Sequence, residues 1–127
     1  MLIRIDPDSE TPIYLQLANQ LIELAARGNL RDGDPLPSVR SLAADLGMNM
    51  HTVNKAYHAL EKKGIITIVP KSGAVLNTIQ EGELSSAHRG RIEEEMRPIV
   101  AEALVLGMKF EEIQHLLSEI HSNLKEE

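Results

Sequence analysis

The chain has 127 residues, 43% hydrophobic and 25% charged, the balance of a soluble globular protein with room for one ordinary domain or a small domain and an appendage. It contains no cysteine, which excludes disulfides and thiolate zinc sites. One Phe, two Tyr and no Trp are too few for the aromatic base-stacking modules that bind single-stranded nucleic acid. The net charge of −6 conceals a polarity: residues 35–79 carry five basic against two acidic side chains, while residues 1–34 and 80–127 are net −3 and −6.

Leu2–Asp6 alternates weakly, as a short strand or an arm would. Thr11 offers a cap with Pro12 at the first helical position, and Ile13, Leu17, Leu21 and Leu24 follow at helical spacing until Gly28 closes the helix. Gly33 and Pro35-Leu36-Pro37 predict a turn. Ser38 then caps a short helix with Val39, Leu42, Ala43 and Leu46 on one face, ended by Gly47. Asn49 caps a third helix, with Val53, Ala56, Tyr57 and Leu60 as its apolar face and Gly64 as its end. Two amphipathic helices joined by a short turn containing Gly fit a helix-turn-helix.

The period changes after Gly64. Ile65–Val69 is β-branched, Pro70–Gly73 is turn chemistry and Ala74–Leu76 is apolar again, which predicts a hairpin, or wing. Gln80–Ala87 is polar and predicts a linker. A fourth helix carries Ile92, Met96, Ile99, Ala103 and Leu106, with Pro98 bending or delimiting it. Gly107 separates it from a fifth, carrying Phe110, Ile113, Leu116, Leu117, Ile120 and Leu124. The expected fold is mainly α with a small β-wing: a winged helix-turn-helix over residues 1–79, then a linker and two dimerisation helices over residues 80–127.

The third helix points to a partner. With Val53 facing the core, a 100° step places His51, Lys55, His58 and Lys62 on the opposite side, a stripe of groups that can all be cationic. Thr52 and Asn54 flank it at the N-terminal end, so His51, Thr52, Asn54 and Lys55 are candidates for the major groove, and His58 and Lys62 for phosphates. Arg40 projects from the first turn of the preceding helix and can reach the DNA backbone or a guanine. Lys71 and Ser72 sit at the wing tip. A basic middle inside an acidic chain also suits local phosphate attraction with little non-specific binding.

From Thr11 to Leu76 the residues resemble the GntR-type bacterial transcription regulators. The resemblance is carried by Pro12-Ile13-Tyr14-Leu15-Gln16-Leu17, by Leu36-Pro37-Ser38-Val39-Arg40-Ser41-Leu42-Ala43 and by Thr52-Val53-Asn54-Lys55-Ala56-Tyr57. The short tail after the wing is similar to the YtrA-like subfamily, in which two C-terminal helices serve dimerisation. The resemblance implies a cytoplasmic, dimeric repressor that binds a palindromic double-stranded DNA operator. It implies DNA contacts at Arg40, Asn49, His51, Thr52, Lys55 and the wing around Lys71, Ser72 and Gly73. The chain departs from the family pattern at Met50, at Asn54 and in the wing sequence Lys71-Ser72-Gly73-Ala74-Val75.

Two short helices leave no room for a large enclosed ligand cavity. Their apolar stripes need cover, which a second subunit meeting Ile92, Met96, Ile99, Ala103, Leu106, Phe110, Ile113, Leu117, Ile120 and Leu124 would supply, and doubling also lets two half-sites be read at once. A small-molecule effector is compatible with such a regulator, but its chemistry is not written in these residues. His115 and His121 are six apart, out of ligand register, and no His-Glu-x-x-His motif is present, so neither a metal nor a cofactor is expected. No nucleophile elbow or phosphate-cradling glycine loop is present, so no enzymatic activity is expected. No apolar run reaches membrane-span length, so no membrane partner is expected. The competing reading is a winged-helix protein-interaction module whose basic stripe meets an acidic partner.

Overall fold

Five helices and a three-stranded antiparallel sheet appear in the computed structural model, which describes residues 3–30, 33–77 and 79–125. The order is α1 (Ile13–Ala26), β1 (Pro35–Leu36), α2 (Val39–Leu46), α3 (Met50–Lys62), β2 (Ile66–Val69), β3 (Gly73–Leu76), α4 (Ser86–Val105) and α5 (Phe110–Lys125). The chain divides into two compact units, Met1–Thr78 and Ile79–Glu127.

The helix ends of the first unit follow from local chemistry. Ser38 accepts a hydrogen bond from the Ser41 N–H and Asn49 one from the His51 N–H, each filling an orphan donor of the helix it opens. Gly47 closes α2 with a left-handed φ of 63°. α1 departs from expectation: Pro12 is its N-cap, not its first residue, and Thr11 does not cap it. The Pro12 carbonyl accepts from the Leu15 and Gln16 N–H groups, while the Gln16 amide donates to the Thr11 carbonyl at 2.8 Å.

Residues 3–6 form no strand; Leu2 lies outside the described residues. They are an extended arm laid on α1, where two glutamines one turn apart stand in for a neighbouring strand. Gln16 exchanges hydrogen bonds with the backbone N–H and carbonyl of Asp6, and Gln20 does the same with Arg4.

The hairpin β2–β3 pairs Ile66 with Leu76 and Val69 with Gly73. Pro70 and Lys71 take its corner, the Ser72 N–H closing onto the Val69 carbonyl at 3.0 Å with Lys71 at φ 67°. Pro35–Leu36, expected as a turn, is a third strand: Leu36 pairs with Ala74 and Pro35 with Val75, giving the order β1-β3-β2. Proline is tolerated there because β1 is an edge. The core gathers Leu17, Ala18 and Leu21 of α1, Leu42 and Ala43 of α2, Val53, Ala56, Tyr57 and Leu60 of α3, and Leu36, Ile66, Ala74 and Leu76 of the sheet. Burying each of the larger aliphatic side chains contributes about 1.5–3 kcal/mol.

In the second unit α4 starts at Ser86, capped by Ser85, so the linker is shorter than the polar composition suggested. Pro98 neither starts nor ends the helix, which runs through it from Ser86 to Val105. The carbonyl four residues back, on Glu94, loses its helical donor, but both residues are exposed and water can supply one. Gly107, at φ 91°, turns the chain, and Glu112 reaches back to the Lys109 N–H at 3.1 Å to open α5. No described residue of α4 or α5 is buried.

Candidate nucleic-acid interface

The first unit presents three elements that its core fixes together: the N-terminal turn of α2, the length of α3 and the wing. α3 is held from beneath by Val53, Ala56, Tyr57 and Leu60, all 0% exposed, so its opposite face is turned outward. His51, Asn54, Lys55, His58 and Lys62 are exposed there, while Thr52 is half-buried. Glu61, the acid of α3, is drawn aside: its carboxylate accepts the Ile68 N–H at 3.0 Å, satisfying the outer edge of β2 and tying the wing to the helix. The outward stripe is left with His51, Lys55, His58 and Lys62.

Lys55 is not a free-swinging cation. Its ammonium lies over the Tyr14 ring, 4.6 Å from the centroid, a contact worth about 0.5–1 kcal/mol at an exposed site. Tyr14 enters from the first turn of α1, which packs along α3. Arg40, the second residue of α2, is exposed. Asn49 is exposed, but its side-chain carbonyl accepts the His51 N–H at 2.7 Å, so part of its hydrogen-bonding capacity serves the cap. Lys71 and Ser72 are exposed at the wing tip.

Gly73 has a structural reason to be glycine. It is buried, at φ 100°, and a Cβ there would lie 2.4 Å from the Leu36 carbonyl oxygen. It admits β1 against β3 and offers no side chain to a ligand.

Three interactions that shape this surface lie outside the motif reading: Tyr14 over Lys55, Glu61 on Ile68, and the hydroxyl of Tyr57, which donates to the Pro37 carbonyl at 2.6 Å. Burial pushes the Tyr57 phenol up to about 12, so it remains a neutral donor at any ordinary pH. The sequence held one signal for the last of these, a tyrosine on the otherwise aliphatic face of α3.

Among the described residues no group of three or more His, Cys, Asp or Glu side chains is placed to hold a metal, and no helix is long and apolar enough to cross a membrane. In the second unit, α4 and α5 enclose an open apolar groove of about 290 Å³ between Met96, Ile99, Ala103, Ile113, Leu117 and Ile120. Of the residues expected at a dimer interface, Ile92, Met96, Ile99, Leu106, Phe110, Leu117 and Ile120 are exposed, and Ala103, Ile113 and Leu124 half-buried.

A helix-turn-helix with a hairpin wing and a cationic second helix defines a class, the winged DNA-binding domains of transcription regulators. Residues 13–76 match the bacterial regulatory proteins of the gntR family, and the chain belongs to that family. It is 36% identical over 124 residues to the HTH-type transcriptional repressor YtrA of Bacillus subtilis, an alignment covering 98% of this chain and 95% of that one. Among solved structures it is similar to YtrA from Sulfolobus acidocaldarius, a GntR-family transcription factor, with TM-score 0.67 and 43% identity over 83% of this chain and 99% of that one. It is also similar to a transcriptional antiterminator from Listeria monocytogenes, with TM-score 0.88 and 26% identity over 100% of this chain and 95% of that one. The protein is a GntR-family transcription regulator with a helix-turn-helix DNA-binding domain, and the family and its relatives are regulators rather than enzymes.

Proposed function

We propose that the protein is a homodimeric repressor that binds a palindromic operator in the cytoplasm. Residues 1–79 serve as the DNA-reading domain and residues 80–127 as the linker and dimerisation region. The observation that carries the reading is the outward face of α3, where His51, Lys55, His58 and Lys62 are exposed while Glu61 is turned onto the wing. On the second helix of a helix-turn-helix, that face enters the major groove, its N-terminal residues meeting base edges and its later ones phosphates. Arg40 and Lys71 extend the contact to either side. The repressor named YtrA in Bacillus subtilis, similar over nearly the whole chain, supports repression as the outcome.

Dimerisation is supported by an excess of uncovered apolar surface. From Ile99 to Leu106, the end of α4 and its C-cap, the only polar side chain is Glu102. At 100° per residue, Leu104, Val105 and Leu106 point in three well-separated directions, and they are 58%, 85% and 75% exposed. The end of α4 is thus apolar on nearly every side, and such a surface is built to be enclosed. α5 lines the groove beside Ile99 and Ala103 but leaves Leu104, Val105 and Leu106 exposed, and a second copy meeting them about a two-fold axis covers them. Two DNA-reading units then engage two half-sites together, which raises affinity without a new contact.

The test is selection of bound sequences from a pool of random duplexes. Enrichment of a two-fold symmetric site is the expected result, with affinity falling as a power of salt concentration and lost in Arg40→Ala/Lys55→Ala while the oligomeric state is kept. No enrichment, or a double variant that binds like the parent, overturns the reading and favours an acidic protein partner.

A further inference from the structure

We propose that Tyr57 is a positioning residue for operator binding: its buried hydroxyl anchors the segment Leu36–Ser38 and thereby sets the first turn of α2, with Arg40, in register with the recognition helix α3. The inference rests on the DNA-binding reading above and adds to it a residue that never touches DNA.

Three observations converge on this segment. The first is chemical. Tyr57 is 0% exposed, and among the described residues it is the one member of the buried core with a polar side-chain atom; the others are Leu, Ile, Val and Ala. A phenyl ring would fill the same space, whereas a hydroxyl in an aliphatic core is unfavourable unless it is hydrogen-bonded. Its partner is the Pro37 carbonyl at 2.6 Å, a short, well-formed O–H···O bond reaching back 20 residues.

The second is where that carbonyl sits. Pro37 immediately precedes Ser38, the N-cap whose hydroxyl accepts the Ser41 N–H at 3.1 Å, and Arg40 lies in the same turn. Proline fixes φ at this residue, so holding its carbonyl leaves the chain little freedom to enter the helix differently.

The third comes from the other side. A Cβ on Gly73 would lie 2.4 Å from the Leu36 oxygen, 3.0 Å from the Pro37 carbonyl carbon and 3.1 Å from the Ser38 nitrogen, so the central strand of the wing is pressed against the same segment. Leu36 is also paired with Ala74. The Leu36–Ser38 backbone is therefore held between the recognition helix and the wing. The three DNA-facing elements meet there, and a contact made by a long arginine depends on such a rigid base.

The experiment is a double-mutant cycle in the full chain, read as affinity for the duplex enriched by selection. Tyr57→Phe keeps the ring and removes the hydroxyl. It should leave the circular dichroism spectrum unchanged, weaken binding by about five- to tenfold, and lower the salt dependence toward that of Arg40→Ala. In an Arg40→Ala background the same substitution should change affinity by no more than about twofold. Equal losses in both backgrounds would mean general loosening of the fold and would overturn the proposal, as would a folded Tyr57→Phe that binds like the parent. An Arg40→Ala variant with parental affinity overturns it too while leaving DNA binding intact, whereas a parent that enriches no duplex overturns the reading beneath it. Should Tyr57→Phe not fold, Pro37→Ala frees the same segment without touching the core. It should show the same dependence on Arg40, and a loss independent of Arg40 refutes the anchoring.

Discussion

Substituting glutamate for Ile99 should separate the proposed dimer and, with it, melt half of the helical structure. Ile99 lies in the apolar groove face of α4 and is 68% exposed on the single chain, so in the proposed dimer its burial comes from the second copy. Loss of that burial removes about 1.5–3 kcal/mol per side chain. A two-fold interface counts it twice, roughly 3–6 kcal/mol before the cost of desolvating two carboxylates, which raises the dissociation constant by about two to four orders of magnitude. α4 and α5 hold 36 of the 71 residues in described α-helices and bury none of them within the chain, so under the proposed dimerisation their helicity depends on the partner. Sedimentation at micromolar concentration should shift to the 14.1 kDa monomer. The far-ultraviolet helical signal should fall by up to about half while the first unit still melts cooperatively. Operator affinity should drop by about a hundredfold or more as the second half-site is lost. A variant that still sediments as the parent does, or a parent that is monomeric with its full helical signal, would refute the reasoning.

Two further outcomes follow from the first unit. Gly73→Ala combines a φ of 100° with a Cβ 2.4 Å from the Leu36 oxygen, whereas Gly47→Ala has a φ of 63° and open space around it. At roughly 4–8 °C per kcal/mol for a unit of this size, the first should lower the melting temperature by more than about 10 °C and the second by about half that or less; equal shifts in a thermal melt would contradict the close approach of β1. Tyr57 titrates near 12 in the folded protein against 10.0 ordinarily, so its protonated form is favoured by folding. That stabilisation is complete below pH 10 and is lost as pH rises toward 12, by roughly 1.4 kcal/mol per pH unit. Denaturant titrations should therefore show the parent losing more stability than Tyr57→Phe across that interval, and parallel losses would argue against a buried phenol.

What was legible in the sequence was whatever a few neighbouring residues decide. Ser38 and Asn49 cap their helices because a short side chain reaches an N–H two or three positions on, and Gly47 and Gly64 end them because glycine alone takes a left-handed φ without cost. The face of α3 that turns outward follows from the period of its apolar residues, and the uncovered stripes of α4 and α5 likewise.

The tertiary structure decided what depends on distant partners. Pro35–Leu36 is too short to show a period of its own and becomes a strand only because Ala74 and Val75 arrive beside it. Gly73 reads as a wing-tip contact until β1 is placed against it, and Glu61 reads as surface charge until the wing edge presents the Ile68 N–H. Tyr57 reads as core; only the fold brings the Pro37 carbonyl to its hydroxyl, because hydrogen bonds and steric limits act over a few ångströms in space whatever the separation along the chain.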